Sequence, residues 1–440
     1  MTRKRIAIIG GGLSGVALAA QLARRQPRPR IVLIERSRRF GRGLAYGAAD
    51  RAHLLNVRAA NMSLFADAPD HFAAWAKARA GLDADGFAPR KLYGAYVEHV
   101  LRRSGGRFGE AIARVRGEAV ACMGADGAWR IGLGDGRGIE ADAVVLALGH
   151  PRAQRFGVFE DAGVRLLDPW DAKALRRSPR GDVLLLGAGL TMVDVALSLA
   201  ARRDGVIYAL SRRGLAPRAH HEPPPPRHTE PIDLPLPLSE AVRGFRAAAD
   251  AAARGAPWQA TFDRLRPQTT ALWRRLPLEA QQRFLRHLRP WWDVHRHRMA
   301  PQVARQVDAL KQAGRLRVLA GELASAAESA RGVSVQYRLR GGRARHRVEA
   351  AAVVNCAGAD MDITRSADPL LRQLLGDGLA RPHPNGLGFD LDEHSRLVGA
   401  GGQAHETLYA IGPLTQGAFW ESTAVPDIRV WAARIAERLG

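Results

Sequence analysis

One design is written twice along this chain of 440 residues. Residues 5–15, RIAIIGGGLSG, run an apolar strand into a glycine turn, and residues 182–194, DVLLLGAGLTMVD, do the same. Each turn leads into an alanine-rich amphipathic stretch, ALAAQLARR or VALSLAARR, and then into another apolar run, IVLIERS or VIYALSRR. Strand, helix and returning strand make a βαβ unit, and the right-handed crossover makes each unit the start of a parallel sheet. The echo continues. Before Gly149 come AVACM, WRIGL and GIEADAVVLALG; before Gly358 come LRVLAG, VSVQYRLR and RVEAAAVVNCAG. Alternation broken by Asp-Gly, Gly-Gly and Arg-Gly turns predicts a small β-meander feeding a last sheet strand in each half.

The expected fold class is therefore α/β: two Rossmann-like dinucleotide-binding domains, with small β-meanders and a helical insertion. Residues 1–180 would form the first part of one domain, 181–360 the second domain, and 361–440 the last part of the first. Residues 216–245 are too rich in proline for helix or central strand. Helical patterning returns around 239–314, with tryptophans and basic residues throughout. The block 216–314 matches neither half of the echo and reads as an insertion that shapes access to a site.

In the first turn Gly10, Gly12 and Gly15 form G-x-G-x-x-G between strand and helix. Gly10 permits the tight turn, Gly12 admits a pyrophosphate to the backbone, and Gly15 lets helix and strand pack closely. The helix N-terminus, with Ser14 in its first turn, faces the phosphates. Glu35 follows twenty residues after Gly15, where a carboxylate accepts from ribose hydroxyls. Dinucleotide binding follows from strand, helix, spacing and acid together. The glycine-rich stretch beyond Glu35, with Tyr46, His53, Asn56, Arg58, Asn61 and Met62, suits a chain threading along a long ligand; an ordinary surface loop is the alternative.

In the second turn Gly187 and Gly189 repeat the pyrophosphate bend, Thr191 opens the helix, and Met192 replaces the third glycine. No acid ends the next strand. Ser211, Arg212 and Arg213 stand there instead, a hydroxyl and two guanidiniums that would pair with a 2′-phosphate. That favours NADPH over NADH.

Composition excludes several classes. The two cysteines, Cys122 and Cys356, allow no disulfide framework and no CxxC pair, so electrons would not pass to a dithiol. The net charge of +23 rests almost wholly on arginine. Those arginines are dispersed and no nucleic-acid motif accompanies them, so nucleic acid is not the expected partner; attraction for anionic dinucleotides and an arginine-rich coding bias account for the charge. No apolar run reaches the ~20 residues of a membrane span. The opening MTRKRIAIIG breaks into glycines rather than a cleavage site, and a cytoplasmic location is expected. The number of copies stays open.

Taken with GLAYG, HLLNVRAANMSLFADAPDHFAAW, ALSRRGLAPRAHH, RPWWDVHRHRMAP, VVNCAG and LYAIGPLTQGAFWESTAVPDIR, these segments resemble the bacterial FAD/NAD(P)-binding proteins of the two-dinucleotide-binding-domain flavoprotein superfamily, relatives of flavin-containing and N-hydroxylating monooxygenases. The resemblance spans almost the whole chain. It implies FAD on the first half, with Gly10, Gly12, Gly15 and Glu35 at its ADP part, the stretch Gly43 to Met62 on the flavin side, and Gly412 to Gly417 beside the ribityl chain. It implies NAD(P)H on the second half, and Gly149 and Gly358 close the last strand of each. Two departures stand out. Many relatives have Gly-Asp where this chain has Gly412-Pro413. The F-x-G-x-x-x-H monooxygenase fingerprint is missing, with Phe156-Gly157 and residues 168–171 (DPWD) in its neighbourhood.

The function implied is an FAD-dependent, NADPH-using oxidoreductase, foremost a monooxygenase that takes molecular oxygen and hydroxylates a small polar substrate, a nitrogen compound or a heterocycle such as urate. The alternatives are a flavin oxidase or dehydrogenase without oxygen insertion, and a dinucleotide-binding protein without catalysis. Trp291, Trp292 and Met299 would supply an apolar wall. Asp293, His295 and Arg298 are the candidate catalytic residues, with Arg296 and His297 beside them, for binding an anionic substrate or moving a proton. The bland alternative is a helix with core tryptophans and paired surface charges. No metal site is expected, since His295 and His297 stand among arginines rather than further ligands; His220-His221 is a weaker candidate of the same kind.

Overall fold

Apolar runs buried on both faces make the central strands, as parallel sheets covered by helices require; Val183–Leu186 and Ala143–Leu146 are buried throughout. The computed structural model describes residues 3–48, 53–106, 111–225, 230–253 and 255–440. Residues 226–229 of the proline-rich segment lie outside that description.

The strands in chain order are β1 (Arg5–Ile9), β2 (Arg30–Glu35), β3 (Ile112–Arg116), β4 (Ala119–Ala125), β5 (Ala128–Leu133), β6 (Gly138–Ala141) and β7 (Ala143–Leu146). Then follow β8 (Val183–Leu186), β9 (Ile207–Ser211), β10 (Leu316–Ser329), β11 (Gly332–Leu339), β12 (Arg345–Ala350), β13 (Ala352–Asn355), β14 (Arg396–Val398) and β15 (Ala404–Ala410). One sheet has the order β14-β15-β7-β1-β2-β3, the other β12-β11-β10-β9-β8-β13, and β4-β5-β6 form a small third sheet. In the first, β15, β7, β1, β2 and β3 run parallel. In the second, β10, β9, β8 and β13 do. In each sheet the strand order reverses beside the first strand, at β1/β7 and at β8/β13, and ligands of such sheets bind at that reversal.

The two meanders differ. The first stands apart as the three-stranded sheet. The second is fused to its main sheet, because β10 pairs β9 over its first five residues and then continues as a hairpin with β11. The helical block also ends earlier than its pattern suggests. Helix Pro301–Gln312 buries Val303, Ala304 and Val307 in the same core as Val193 and Ile207, so it is the crossover leading into β10. Of the remaining helices, Thr269–Arg275, Leu278–His287 and Arg289–Arg296 leave the second unit and pack on the first. Leu238–Ala252 and Trp258–Leu265 pack together around Ile232, Leu234 and Leu265. Trp273 is buried in the first unit's core, and Leu276, Phe284 and Trp292 pack against it. No helix among the described residues is long and apolar enough to cross a membrane.

Candidate functional site

Two of the first turn's glycines are required by the fold. Gly10 has φ +112°, and a Cβ there would lie 2.1 Å from the Ala147 carbonyl oxygen across the strand reversal. A Cβ on Gly15 would lie 1.9 Å from the Gly10 oxygen. Gly12 is different. Its φ of −76° suits any residue, and a Cβ there would meet nothing nearer than the Gly43 Cα at 3.6 Å. It also precedes helix Leu13–Leu22, whose first turn has no side-chain cap. Uncapped N–H groups behind a bare Cα fit a diphosphate.

Glu35 braces this turn. Its carboxylate accepts from the Gly11 N–H and the Ser37 N–H, both at 2.8 Å. The last segment of the chain returns over the same helix start. Gly412, at φ +93°, lies so close that a Cβ would be 2.7 Å from Ser14 Oγ, and Thr415 Oγ1 donates to the Gly412 oxygen at 2.8 Å. Gly417 is pinned, its N–H donating to Leu387 O at 2.7 Å. Gly43–Gly47 is a short helix within the threading stretch. Tyr46 packs edge-on against Tyr93 at 4.9 Å, and desolvation pushes its hydroxyl up to about 12. Met62 is buried, and its carbonyl accepts from Tyr93 Oη at 3.0 Å; it anchors the loop. The Asn56 carbonyl bonds His220 Nε2 at 2.9 Å. Gly149, after β7, faces open space.

The second turn repeats the geometry. Gly187 has φ +103°, with its missing Cβ 2.7 Å from Cys356 O. Gly189, at φ −80°, has nothing within 4 Å of a Cβ and precedes the uncapped helix Leu190–Ala200, which begins with Leu190 and Thr191. Met192 fills the space of a third glycine and is fully buried. Gly358 again faces open space. Ser211 ends β9, and its hydroxyl accepts from the Gly214 N–H at 3.1 Å. Arg212 is exposed, and Arg213 Nη2 donates to Arg286 O at 3.1 Å.

The insertion is riveted to the chain just after Gly417. Trp273 Nε1 donates to Gly417 O at 2.7 Å, and Thr270 Oγ1 to Phe419 O at 3.1 Å. Trp292 Nε1 and Arg296 Nη2 reach Glu421 at 3.3 and 3.0 Å, and Arg266 reaches Asp427 at 2.9 Å. Trp420 stacks on Trp273 at 4.9 Å and holds φ +61°, an unfavourable backbone for a bulky residue, of the kind that functional sites retain.

Of the three catalytic candidates, His295 and Arg298 meet at the Trp258 ring, 5.0 and 5.8 Å from its centre, and Asp293 stands apart. Asp293 is half-exposed and pairs within its own helix, 3.5 Å from Arg289 and 3.9 Å from His297. His295 stacks on Phe262 at 5.3 Å, its Nδ1 bonded to Trp291 O. Arg298 is buried, pairs with Asp263, and lies over Trp258. Nε and Nη1 of Arg298 and Nε of Arg296 find no hydrogen-bond partner among the described residues. Burial pushes His220 down to about 3 and His297 down to about 4, helped by neighbouring arginines, so both rings are neutral. Trp291 is exposed and Trp292 is partly buried.

Most residues that join the parts carry no mark in the sequence; His53, in the threading stretch, is the exception. Arg90 binds Asp194 at 2.7 Å between the two units, and His53 Nε2 bonds Ser198 Oγ at 2.7 Å beside it. Glu421 and Arg266 serve the insertion. Long-range partners of this kind leave no periodicity or spacing. Among the described residues no group of three His, Cys, Asp or Glu side chains is gathered for a metal.

Residues 7–151 match the family model described as FAD-NAD(P)-binding. An uncharacterized protein of Mycobacterium tuberculosis is 27% identical, over 94% of this chain and 87% of its own length. The L-aspartate N-monooxygenase (nitrosuccinate-forming) of Streptomyces cremeus is 35% identical over 159 residues, 33% of this chain and 23% of that protein. Among solved structures, the ornithine N-hydroxylase of Kutzneria sp. 744, with reduced FAD, NADP+ and L-ornithine, aligns with TM-score 0.63 at 17% identity, over 100% of this chain and 99% of that one. At that identity the likeness is one of fold.

Proposed function

We propose, for a chain that carries an FAD-NAD(P)-binding domain within the two-dinucleotide flavoprotein fold, that it is an FAD-dependent, NADPH-using monooxygenase hydroxylating the nitrogen of a small amine that bears a carboxylate. The observation that carries the cofactor assignment is the pair Gly12 and Gly189. Neither position needs glycine for the fold's sake, and each stands before an uncapped helix start. A diphosphate supplies the reason for both. FAD would lie along Gly10–Gly15, Glu35, the Gly43–Met62 stretch and Gly412–Gly417; NADPH would lie along Gly187–Thr191 and the arginines after β9.

FAD held along those residues would supply the hydride acceptor for NADPH and the means of transferring one atom of O2 to the substrate. The balance is NADPH, H+, O2 and amine giving NADP+, water and hydroxylamine. The protein's share is position and exclusion of water. The insertion covers the chain after Gly417 by packing Trp273 and Phe284 on Trp420, with Trp292 behind Phe284. Dithiol chemistry has no place here, since Cys122 and Cys356 are free, buried and held protonated by desolvation.

Nitrogen is favoured as the site of hydroxylation by the likeness to an aspartate N-monooxygenase and an ornithine N-hydroxylase; neither likeness speaks for a heterocycle such as urate. A carboxylate on that amine is favoured by the same two likenesses, since aspartate and ornithine both carry one. Arg296 and Arg298 already pair with Glu421 and Asp263, and keep N–H groups free for a further acceptor.

The test is to follow NADPH oxidation, O2 uptake, peroxide and hydroxylamine with acidic, neutral and cationic amines. Hydroxylamine formation with an acidic amine, and little peroxide, is the expected result. Peroxide equal to NADPH consumed with every compound would make the protein an oxidase. No oxidation by FAD-loaded protein would leave only cofactor binding.

A further inference from the structure

Strand register brings a third arginine to the end of β9. β10 runs parallel to β9 with Ala320 opposite Ser211, and β11 returns antiparallel with Leu339 opposite Gly321. Arg340 follows Leu339 directly, so its backbone arrives beside Ala320 at the same sheet end as Arg212 and Arg213. The approach there is tight: a Cβ on Gly214 would lie 2.9 Å from Ala320 Cβ. The charges feel one another. Desolvation lowers the Arg213 guanidinium's affinity for its proton, and Arg340 and Arg212 lower it further. None of the three makes an ion pair among the described residues.

Their donors are not equivalent. Arg213 gives Nη2 to the Arg286 carbonyl on helix Leu278–His287, and the Ser211 hydroxyl oxygen is engaged by Gly214. Arg212 and Arg340 are exposed, with their forked donors uncommitted. In a dinucleotide-binding βαβ unit, the end of the second strand lies beside the adenosine ribose. A phosphate there is met best by two guanidiniums approaching from different sides.

We infer that Arg212 and Arg340, delivered by different strands, clamp the 2′-phosphate of NADPH, while Arg213 ties that site to the insertion. This rests on reading the second turn as the NADPH site. It replaces the pair of arginines adjacent in sequence with a pair adjacent only in the sheet.

The experiment is calorimetric titration of the FAD-loaded protein with 2′,5′-ADP and with 5′-AMP. Wild type should prefer 2′,5′-ADP, and Arg340→Ala and Arg212→Ala should each remove about tenfold or more of that preference. Arg213→Ala should remove less. Arg338→Ala is the control: it takes a charge from the same hairpin, but one near Glu322 at 3.8 Å, and it should keep the preference. An Arg340→Ala protein with wild-type preference overturns the clamp, and so does an equal loss in Arg338→Ala, which would mean a diffuse field. Wild type that holds FAD yet ignores the 2′-phosphate overturns the clamp and leaves the flavin reading standing. Protein that holds no FAD overturns that reading and the clamp with it.

Discussion

Arg90 and Asp194 form an ion pair at 2.7 Å between the two nucleotide-binding units, with both side chains largely removed from water. Arg90 opens helix Arg90–Ser104 on the first unit, and Asp194 lies one turn into helix Leu190–Ala200 on the second. Burial pushes the Asp194 carboxyl up, and Arg90 and His53 pull it back. Removing Arg90 alone leaves a carboxylate stranded. Arg90→Ala should therefore cost about 3–5 kcal/mol in urea unfolding, whereas Arg90→Leu with Asp194→Leu should recover most of the loss. A double variant whose loss equals the summed losses of Arg90→Leu and Asp194→Leu would show that the pair carries no coupling.

Glu35 uses its two oxygens on the Gly11 and Ser37 N–H groups, and each oxygen keeps lone pairs for a ribose. Glu35→Ala should thus loosen the turn and remove a ligand acceptor at once. We expect FAD affinity to fall about tenfold or more, consistent with about 1.5–3 kcal/mol for a charged hydrogen bond. Glu35→Gln should fall between. Fluorescence titration of apoprotein with FAD measures it, and an unchanged dissociation constant in Glu35→Ala would remove Glu35 from the site.

His220 and His297 give the protein an acid limit. Their folded values, about 3 and about 4, lie below the ordinary 6.5, so the unfolded chain binds more protons between those values. Their contribution is whole above pH 6.5 and is lost as pH falls toward 4 and then 3. Thermal melts should show Tm falling over that window, and less steeply in His220→Gln than in wild type. A Tm profile that His220→Gln leaves unaltered would contradict the assignment.

The two turns were legible because backbone demands appear in sequence as glycines: Gly10 and Gly187 must accommodate a neighbouring strand's carbonyl, at Ala147 and Cys356. The pattern also separates Gly15, expected to allow close packing and placed where a Cβ would lie 1.9 Å from the Gly10 oxygen, from Gly12, where a Cβ has room. The insertion's helices were legible from their periodicity, but their docking on the first unit was not. That docking depends on pairs such as Trp273 with Gly417 and Arg296 with Glu421, 144 and 125 residues apart. Asp293, His295 and Arg298 are neighbours in sequence, but Asp293 pairs with Arg289 at the surface while His295 and Arg298 pack on Trp258, a partner more than 35 residues away that no spacing reveals.

Trp273 holds the segment after Gly417 through one N–H···O bond at 2.7 Å. Trp273→Phe keeps an aromatic ring but deletes that bond, worth about 1 kcal/mol, and leaves a gap where the rest of the indole packed. The expected result is severalfold more peroxide per NADPH consumed at saturating substrate, because water reaches the flavin side more easily. A peroxide yield equal to wild type would mean the insertion does not guard the reaction.

Gly12 and Gly189 leave room that the fold itself does not fill. Gly12→Ala and Gly189→Ala should both fold, since a Cβ at either position meets nothing nearer than 3.6 Å. Flavin content and NADPH-driven flavin reduction then separate the two sites. Gly12→Ala is expected to lose its flavin, while Gly189→Ala keeps its flavin but is reduced by NADPH only at much higher concentrations. Gly12→Ala protein that retains FAD as tightly as wild type would contradict the account.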